Sequence, residues 1–333
     1  MSPILFPNCH MSTKDSVTAA YGIYRNQINR LGFQVGVRAE HTATKGFDFN
    51  SDVQYDNRYI NFFPSLYLSL EVEQDEVYSL NYSRRISRPG VGGMAPFYNA
   101  QDLLNTRLGN PELNPEYTDS YEAGYMKGWE RYLFNGTLYH RRTTDVMTRI
   151  ISLLENNSAV QLWTNASQRN STGLEVINQF QLSSHIDATL SGNFFYSEIM
   201  GSNIQEGFDN SSFSWTVSLL SNINLPRIAT VQLQGEYRGP IILPQGEIDP
   251  IYGVNLGVRR NLLNNRATVS LNVSDLFDSR TFRIKTRDME FTQDRFFNRE
   301  TRIGTLSLSY RFGGFRAKDE SPSGGSGYGN DPF

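Results

Sequence analysis

The sequence predicts an all-β chain, folded as an antiparallel transmembrane β-barrel wall of about thirteen strands across residues 15–313. Three observations predict it. Apolar and polar residues alternate with period two, the alternating runs last about nine to twelve residues, and the connections between runs alternate short and long.

The alternation is plainest in four runs. In Val77–Ser87, the residues Tyr78, Leu80, Tyr82 and Ile86 point one way and Ser79, Asn81, Ser83, Arg85 and Ser87 the other. Tyr252, Val254, Leu256 and Val258 alternate with Gly253, Asn255, Gly257 and Arg259. Ala267, Val269, Leu271 and Val273 alternate with Thr268, Ser270, Asn272 and Ser274, and Leu306, Leu308, Tyr310 and Phe312 with Thr305, Ser307, Ser309 and Arg311. Tyr78, Leu80, Tyr82, Leu256, Val258, Leu271, Leu308 and Tyr310 are therefore expected to face lipid. A helix needs apolar residues at three-and-four spacing, and no long segment has them. A soluble sandwich or propeller also alternates. Its strands cluster near five or six residues, whereas a strand tilted about 40° through a ~25 Å apolar band needs about ten at ~3.3 Å each.

Short connections fall near Arg25–Gly32, Glu73–Glu76, Lys127–Arg131, Ser183–Ile186, Asn224–Arg227 and Asn261–Arg266, and long ones near Thr44–Asn57, Arg88–Thr118, Gly201–Asn210 and Gly239–Asp249. Outer-membrane barrels have short periplasmic turns and longer extracellular loops, so the short set is expected on the periplasmic side. The strands are expected near 17–25, 32–42, 58–72, 77–88, 118–127, 132–149, 168–182, 187–199, 211–223, 227–239, 250–260, 266–286 and 296–313. The first and last then both descend toward the periplasm. An antiparallel bacterial barrel closes on an even number, and an unpaired edge cannot face lipid. Either the count is off by one or strands are missing upstream.

Composition fits this reading. Aromatic residues make up 13% of the chain, with Tyr 18 and Phe 21 against Trp 3, and mean hydropathy is −0.46. No stretch approaches 18 uninterrupted apolar residues, which excludes a transmembrane helix and leaves a barrel open. Lys+Arg 31 against Asp+Glu 34 offers no basic footprint for nucleic acid. Cys9 has no partner for a disulfide and no organised Cys/His constellation around it. Residues 1–14 are unpatterned and, with Pro3 and Pro7 breaking a short apolar run, do not form a signal peptide; an export signal is expected upstream. Residues 314–333 read as a flexible Gly/Ser-rich tail.

The segment Tyr82-Ser-Arg-Arg-Ile-Ser-Arg-Pro-Gly90, followed by Ala95-Pro-Phe97 and by Leu108-Gly-Asn-Pro-Glu-Leu-Asn-Pro-Glu-Tyr-Thr-Asp-Ser-Tyr-Glu122, resembles the strand, loop and strand of the outer-membrane β-barrel family of TonB-dependent receptors. Leu271-Asn-Val-Ser-Asp-Leu-Phe-Asp278 and Leu306-Ser-Leu-Ser-Tyr-Arg-Phe312 are similar to its penultimate and last strands. The specific element is the signature stretch Gly109, Asn110, Pro111, Leu113, Pro115, Glu116 and Tyr117. Pro89, Pro96, Pro111 and Pro115 would restrain this long crossing.

The resemblance implies a C-terminal portion of a barrel of about 22 strands in the bacterial outer membrane. It implies a plug domain and a contact with TonB, both carried by a missing upstream region, and recognition of the last strand by the barrel-assembly machinery. It names no solute. The tail after Phe312 departs from barrels that end on the aromatic residue.

Chemical constellations are few. Asp48-Phe-Asn-Ser-Asp52 opens like a calcium loop, but Val53 replaces the required glycine and Tyr59 the bidentate glutamate. His10, His41, His140 and His185 lack metal spacing, and no catalytic pair or cofactor motif is present. Arg38, Arg85, Arg141, Arg259 and Arg311 fall on the expected lumen face. They either pair with lumen carboxylates such as Glu40, Glu122 and Glu236, or dock a plug or an anionic solute through charge-assisted hydrogen bonds. The expected function is that of a receptor barrel without enzymatic activity. A passive self-contained porin of fourteen strands and a soluble β-rich binding protein are the alternatives.

Overall fold

The computed structural model describes residues 11–48, 54–95, 105–153, 159–287 and 291–312. The chain opens with β1 (Met11–Ile28), β2 (Leu31–Asp48), β3 (Gln54–Glu73) and β4 (Glu76–Ser87), then crosses through the single-turn helix α1 (Val91–Met94) and the short β5 (Asn105–Leu108). Long strands resume with β6 (Glu116–Trp129), β7 (Tyr132–Leu153), β8 (Ala159–Ser183), β9 (Ile186–Met200), β10 (Asn210–Leu225) and β11 (Ala229–Arg238). A small hairpin, β12 (Ile241–Leu243) and β13 (Gly246–Ile248), precedes β14 (Ile251–Leu262) and β15 (Ala267–Ser274). A second, β16 (Phe282–Arg287) and β17 (Thr292–Phe297), precedes β18 (Ile303–Tyr310). No described helix is long and apolar enough to cross a membrane.

Thirteen long strands form one sheet in the order β1-β2-β3-β4-β6-β7-β8-β9-β10-β11-β14-β15-β18, each antiparallel to the next. This is the expected wall, with the expected strand number. It does not close: β1 and β18 are its two ends and run in the same direction. The tight turns that join successive strands of this sheet lie at one end, where Asn29 (φ 55°) and Asp75 (φ 60°) supply the left-handed residues that two-residue turns require. All long connections lie at the other.

Register fixes which side chains share a face. Tyr78, Leu80 and Tyr82 of β4 stand opposite Tyr125, Ala123 and Tyr121 of β6, and these opposite Gly136, Leu138 and His140 of β7. Leu256 and Val258 stand opposite Val273 and Leu271, and the latter opposite Leu306. The eight residues expected to face lipid thus all lie on the apolar face. Leu80 and Leu138 are each 56% exposed there, and Leu306 and Leu308 are 73% and 75% exposed. A soluble protein does not leave so wide an apolar face bare.

The apolar face has built-in limits. On β4 and β6, Lys127 pairs with Glu73 and Glu76 at the turn end, and Arg84 pairs with Asp119 (3.7 Å) toward the loop end. Glu76 and Arg84 share one strand and one face, eight residues apart. At ~3.3 Å per residue that is roughly 26 Å along the strand and ~20 Å across a membrane at a tilt of about 40°. Aromatic rings mark both limits. Trp129, Tyr132 and Phe180 stack at the turn end, with centroids 5.1 and 4.9 Å apart, and Trp215, Tyr237 and Tyr252 form the loop-end row. Two aromatic girdles around an apolar band are the signature of a membrane-spanning barrel.

Several expected boundaries are corrected. β1 begins at Met11, inside the segment 1–14 read as unpatterned, because pairing with β2 carries the hairpin past the apolar band to Met11 opposite Asp48. The connection expected over Thr44–Asn57 shrinks to 49–53 for the same reason. β7 and β8 likewise pair out to Leu153 and Ala159, so strands reach 22 and 25 residues rather than the length of a bare span. The strand expected over 266–286 ends at Ser274, where Asp275 (φ 44°) and Asp278 (φ 56°) turn the chain. Residues 275–302 therefore form a further long connection, carrying β16 and β17. Cys9, most of the Asp48–Asp52 loop, Phe97 and the 314–333 tail lie outside the described residues.

Register makes one sharp prediction, since Leu271 faces Leu306 and Ser270 faces Ser307 on opposite sides of the same two strands. Leu306→Arg should destabilise the folded barrel by about 2–4 kcal/mol, as for a cation near the bilayer midplane, and Ser307→Arg by far less. Denaturant titration in liposomes checks this, and equal losses would invert the face assignment.

Candidate functional site: the polar face and its loop-end mouth

Arg38, Arg85, Arg141 and Arg259 lie on the polar face by register, Arg311 follows the last paired residue of β18, and the wall treats the five differently. Arg38 lies 3.0 Å from Glu40 and 5.4 Å from the centre of the Phe63 ring, and Arg88, at the end of β4, also pairs with Glu40 while donating to Thr42 (3.0 Å). Arg141 reaches Glu122 at 3.6 Å and stacks on Tyr139 at 4.3 Å. Arg85 stands opposite Thr118, Arg259 opposite Ser270, and Arg311 is tied by its backbone N–H to the Arg266 carbonyl (2.8 Å). Among the described residues these last three have no carboxylate within ion-pair reach. Glu236, expected to pair with one of the five, is taken instead by Arg280 at 2.9 Å. Gly253 permits that contact, because a Cβ there would meet Arg280 Nε at 2.5 Å.

The signature stretch is a folded corner. Asn110 donates its backbone N–H to the Gly93 carbonyl (2.7 Å) and its side-chain amide to the Trp163 carbonyl (3.2 Å), while its own Oδ1 accepts from the Glu112 N–H (2.9 Å). Gly109 passes so close to Ala95 that a Cβ would sit 2.2 Å from its carbonyl oxygen, so only glycine fits. Leu113 is buried with Met94 against Met147 and Trp163. Glu116 accepts the Met147 N–H at 2.6 Å. Asn165, which sequence reasoning passed over, locks Asn114 from both directions at 2.9 and 3.0 Å. Asn110–Pro115 thereby line a cleft of about 980 Å³ together with Arg88, Arg58, Asp56 and Asp15.

A second structure caps the other half of the mouth. β12, β13, β16 and β17 pair into a four-stranded sheet, although they belong to two different connections. The buried Gln245 anchors it to the wall as a strand would: its Oε1 accepts the Ile151 N–H (2.7 Å) and its Nε2 donates to the Ile151 carbonyl (2.9 Å). Ile242 packs with Val146, Ala166 and Ile199. Behind this sheet lies a cavity of about 470 Å³ whose rim carries Arg107, Arg149, Arg280, Arg295 and Arg299.

Asp275 is the hinge pin of the last connection. Fully buried, it accepts hydrogen bonds from the Ser279 N–H (3.0 Å), the Ser279 hydroxyl (3.1 Å), the Arg280 N–H (3.0 Å) and the Thr301 hydroxyl (2.6 Å). Burial pushes its carboxyl up, but the Thr301, Arg280 and Ser279 donors prevail and hold it at about 2, below its ordinary 3.8. Arg280 is thus placed for Glu236 by its own backbone. Among the described residues, no group of three or more His, Cys, Asp or Glu is arranged to hold a metal ion.

Comparison with known proteins gives one family. The model described as "Outer membrane protein beta-barrel family" matches residues 7–310. No curated protein sequence matches the chain. Among solved structures it is similar to the ferric yersiniabactin uptake receptor FyuA from Yersinia pestis, with a TM-score of 0.62 and 16% identity over 91% of this chain and 46% of that one. It is also similar to the FrpB iron transporter from Neisseria meningitidis, at 0.59 and 13% over 91% and 46%, and to the siderophore receptor PiuA from Acinetobacter baumannii, at 0.63 and 12% over 90% and 44%. The likeness is one of fold, and the chain spans about half the length of these structures.

Asp275 yields a prediction with a pH sign. Its folded pKa lies below its unfolded one, so its contribution is complete above about pH 4 and is lost as pH falls toward 2. Exchange protection of the Ser279 and Arg280 amides should follow that course. Asp275→Ala should lower protection at neutral pH by about fivefold or more, because orphaning buried donors costs about 1–3 kcal/mol. Unchanged protection in the variant would remove Asp275 from this role.

Proposed function

The chain belongs to the outer membrane protein beta-barrel family and sits in the bacterial outer membrane, and from that premise we propose that it is part of the barrel wall of a solute receptor of the TonB-dependent kind. In this reading a plug domain and further strands, carried by additional polypeptide, complete the barrel, and TonB supplies the energy for solute release. The reading assigns the chain no enzymatic reaction.

The observation that carries it is the open wall. Among the described residues β1 and β18 run in the same direction with their outer edges unpaired, so they cannot close antiparallel on each other as the ends of a fourteen-strand porin would. Unpaired backbone groups cost several kcal/mol each in hydrocarbon, so both edges need partners. The solved relatives, at about twice this length, supply the scale of what is added. The charged polar face suits contact with a plug, and the folded mouth suits selection of a solute.

Residues 1–333 produced alone should aggregate through their edges, whereas the polypeptide carrying the plug and the remaining strands should give a heat-modifiable, protease-resistant barrel. A monomeric, protease-resistant species from residues 1–333 in detergent would favour the self-contained porin. In the complete protein, an epitope tag within 201–209 should be reached by antibody on intact cells and one at Gln74–Asp75 should not. Solute uptake should also stop when TonB is deleted, and uptake that persists would leave a passive pore.

A further inference from the structure

We propose that the arginine-rich cavity behind the four-stranded sheet binds a small organic anion: a phosphate, sulfonate or carboxylate carried on an apolar or aromatic body. The inference rests on the receptor reading above and names the substrate class its mouth would take. Three separate segments converge there. β5 brings Arg107, the extension of β7 brings Arg149, and the 275–302 connection brings Arg280, Arg295 and Arg299.

Charge balance is the first argument. The whole chain is slightly acidic, with Lys+Arg 31 against Asp+Glu 34, yet five guanidinium groups line one cavity with no carboxylate among its lining residues. Glu236 answers Arg280 from outside, and Arg295 donates to Gln293 at 2.7 Å. Among the described residues, no carboxylate lies within ion-pair reach of Arg107, Arg149 or Arg299. Arg149 instead lies over the Trp163 ring at 4.3 Å, and partial burial together with the nearby Arg107 holds its guanidinium below its ordinary value. Like charges gathered in one cavity repel, as the effect of Arg107 on Arg149 shows, so a bound anion would relieve a standing cost.

Shape and position narrow the class. At about 470 Å³ the cavity lies within the ordinary range of small-molecule sites, roughly 300–1,000 Å³. Its apolar side is made by Phe282 and Phe297, a tilted pair 5.9 Å apart, with Ile284 and Ile251. Guanidinium forks over an aromatic floor suit an oxyanion on an apolar body better than either part alone. Arg149 shares the parity of Tyr139 and Arg141 in a pairing with β8 that skips only Asp145 and Ser167 and resumes in the same register, and Arg280 is held by Glu236, so the cavity opens on the polar face. A lipid headgroup approaching the apolar face does not reach it; a dissolved anion entering the mouth does.

The test measures binding of radiolabelled phenyl phosphate, benzoate and naphthalene sulfonate to outer-membrane vesicles from cells producing the complete protein, against vesicles lacking it. At least one of the three should bind saturably, weaken as salt rises, and resist competition by neutral phenyl glucoside and cationic benzylamine. The Arg107→Gln/Arg149→Gln double variant should weaken binding at least tenfold, while Arg131→Gln at a tight turn should leave it unchanged. Heat modifiability of each variant verifies folding, and Arg149→Gln alone, if the double variant does not fold, should weaken binding at least threefold. Binding of none of the three anions, equal binding of phenyl glucoside, or indifference of a folded variant overturns the proposal. Variant-sensitive binding without TonB-dependent uptake would sink the receptor reading and keep the site. Uptake with variant-insensitive binding would do the reverse.

Discussion

In hydrocarbon no water answers a backbone N–H or C=O, and that constraint organises the chain from β1 to β18. A strand in such a medium is tolerable only when both neighbours complete its hydrogen bonds. Hence the thirteen strands follow one another without a crossover, each paired with the next in line, and the one further partner, the short β5, joins β8 at its loop-end extension, Ala159–Leu162. The same demand makes the two ends of the wall the weakest part of the molecule. An interior strand such as β8 satisfies its groups from β7 and β9, while among the described residues β18 has β15 on one side only.

Once pairing is fixed, the period of two sorts the side chains without further cost. One face spends its positions on Leu80, Leu138, Leu256 and Leu306; the other is free to carry Glu40, Arg38, Arg141 and Glu122. On the apolar face of β4 and β6, charge appears only where the band ends, at Lys127 with Glu76 and at Arg84 with Asp119. Pairing there partly neutralises groups that would be costly a few residues deeper.

How much of this was legible follows the same division. Alternation through Tyr252–Arg259 or Thr305–Arg311 is a direct imprint of two unlike solvents, so the strands, their number and their faces could be read from residues alone. The loop-end structures leave no such imprint. Val146, Ala166 and Ile199 are buried in a strand extension where both faces meet protein, and alternation no longer reports on solvent. The Asn110 corner was visible only through its family resemblance, and its partners Trp163 and Asn165 lie more than fifty residues away. Asp275 was included in a motif but read as strand. The two apolar residues in succession after it, Leu276 and Phe277, were the available sign that the period had broken. Of the candidate arginines, the wall places Arg38 and Arg141 beside the anticipated carboxylates Glu40 and Glu122. Nothing local announced that Glu236 would be claimed by Arg280, forty-four residues on.

The mouth shows why those unreadable parts matter most. Its segments are short and lie outside the membrane, so propensity alone would not hold a three-residue strand such as β12 or a four-residue helix such as α1. Each is instead fastened to the wall by side chains imitating backbone: Gln245 on Ile151, Asn165 on Asn114, Asp275 on Ser279 and Arg280. Such fastening transfers the rigidity of the barrel to loops that would otherwise be mobile, which is what a binding site needs if ordering is not to consume its affinity. It also explains the distribution of the arginines. On the wall, Arg38 and Arg141 find Glu40 and Glu122 within a register step. At the mouth, segments from distant parts of the chain converge, and Arg107 and Arg149 are gathered with no carboxylate in ion-pair reach among the described residues.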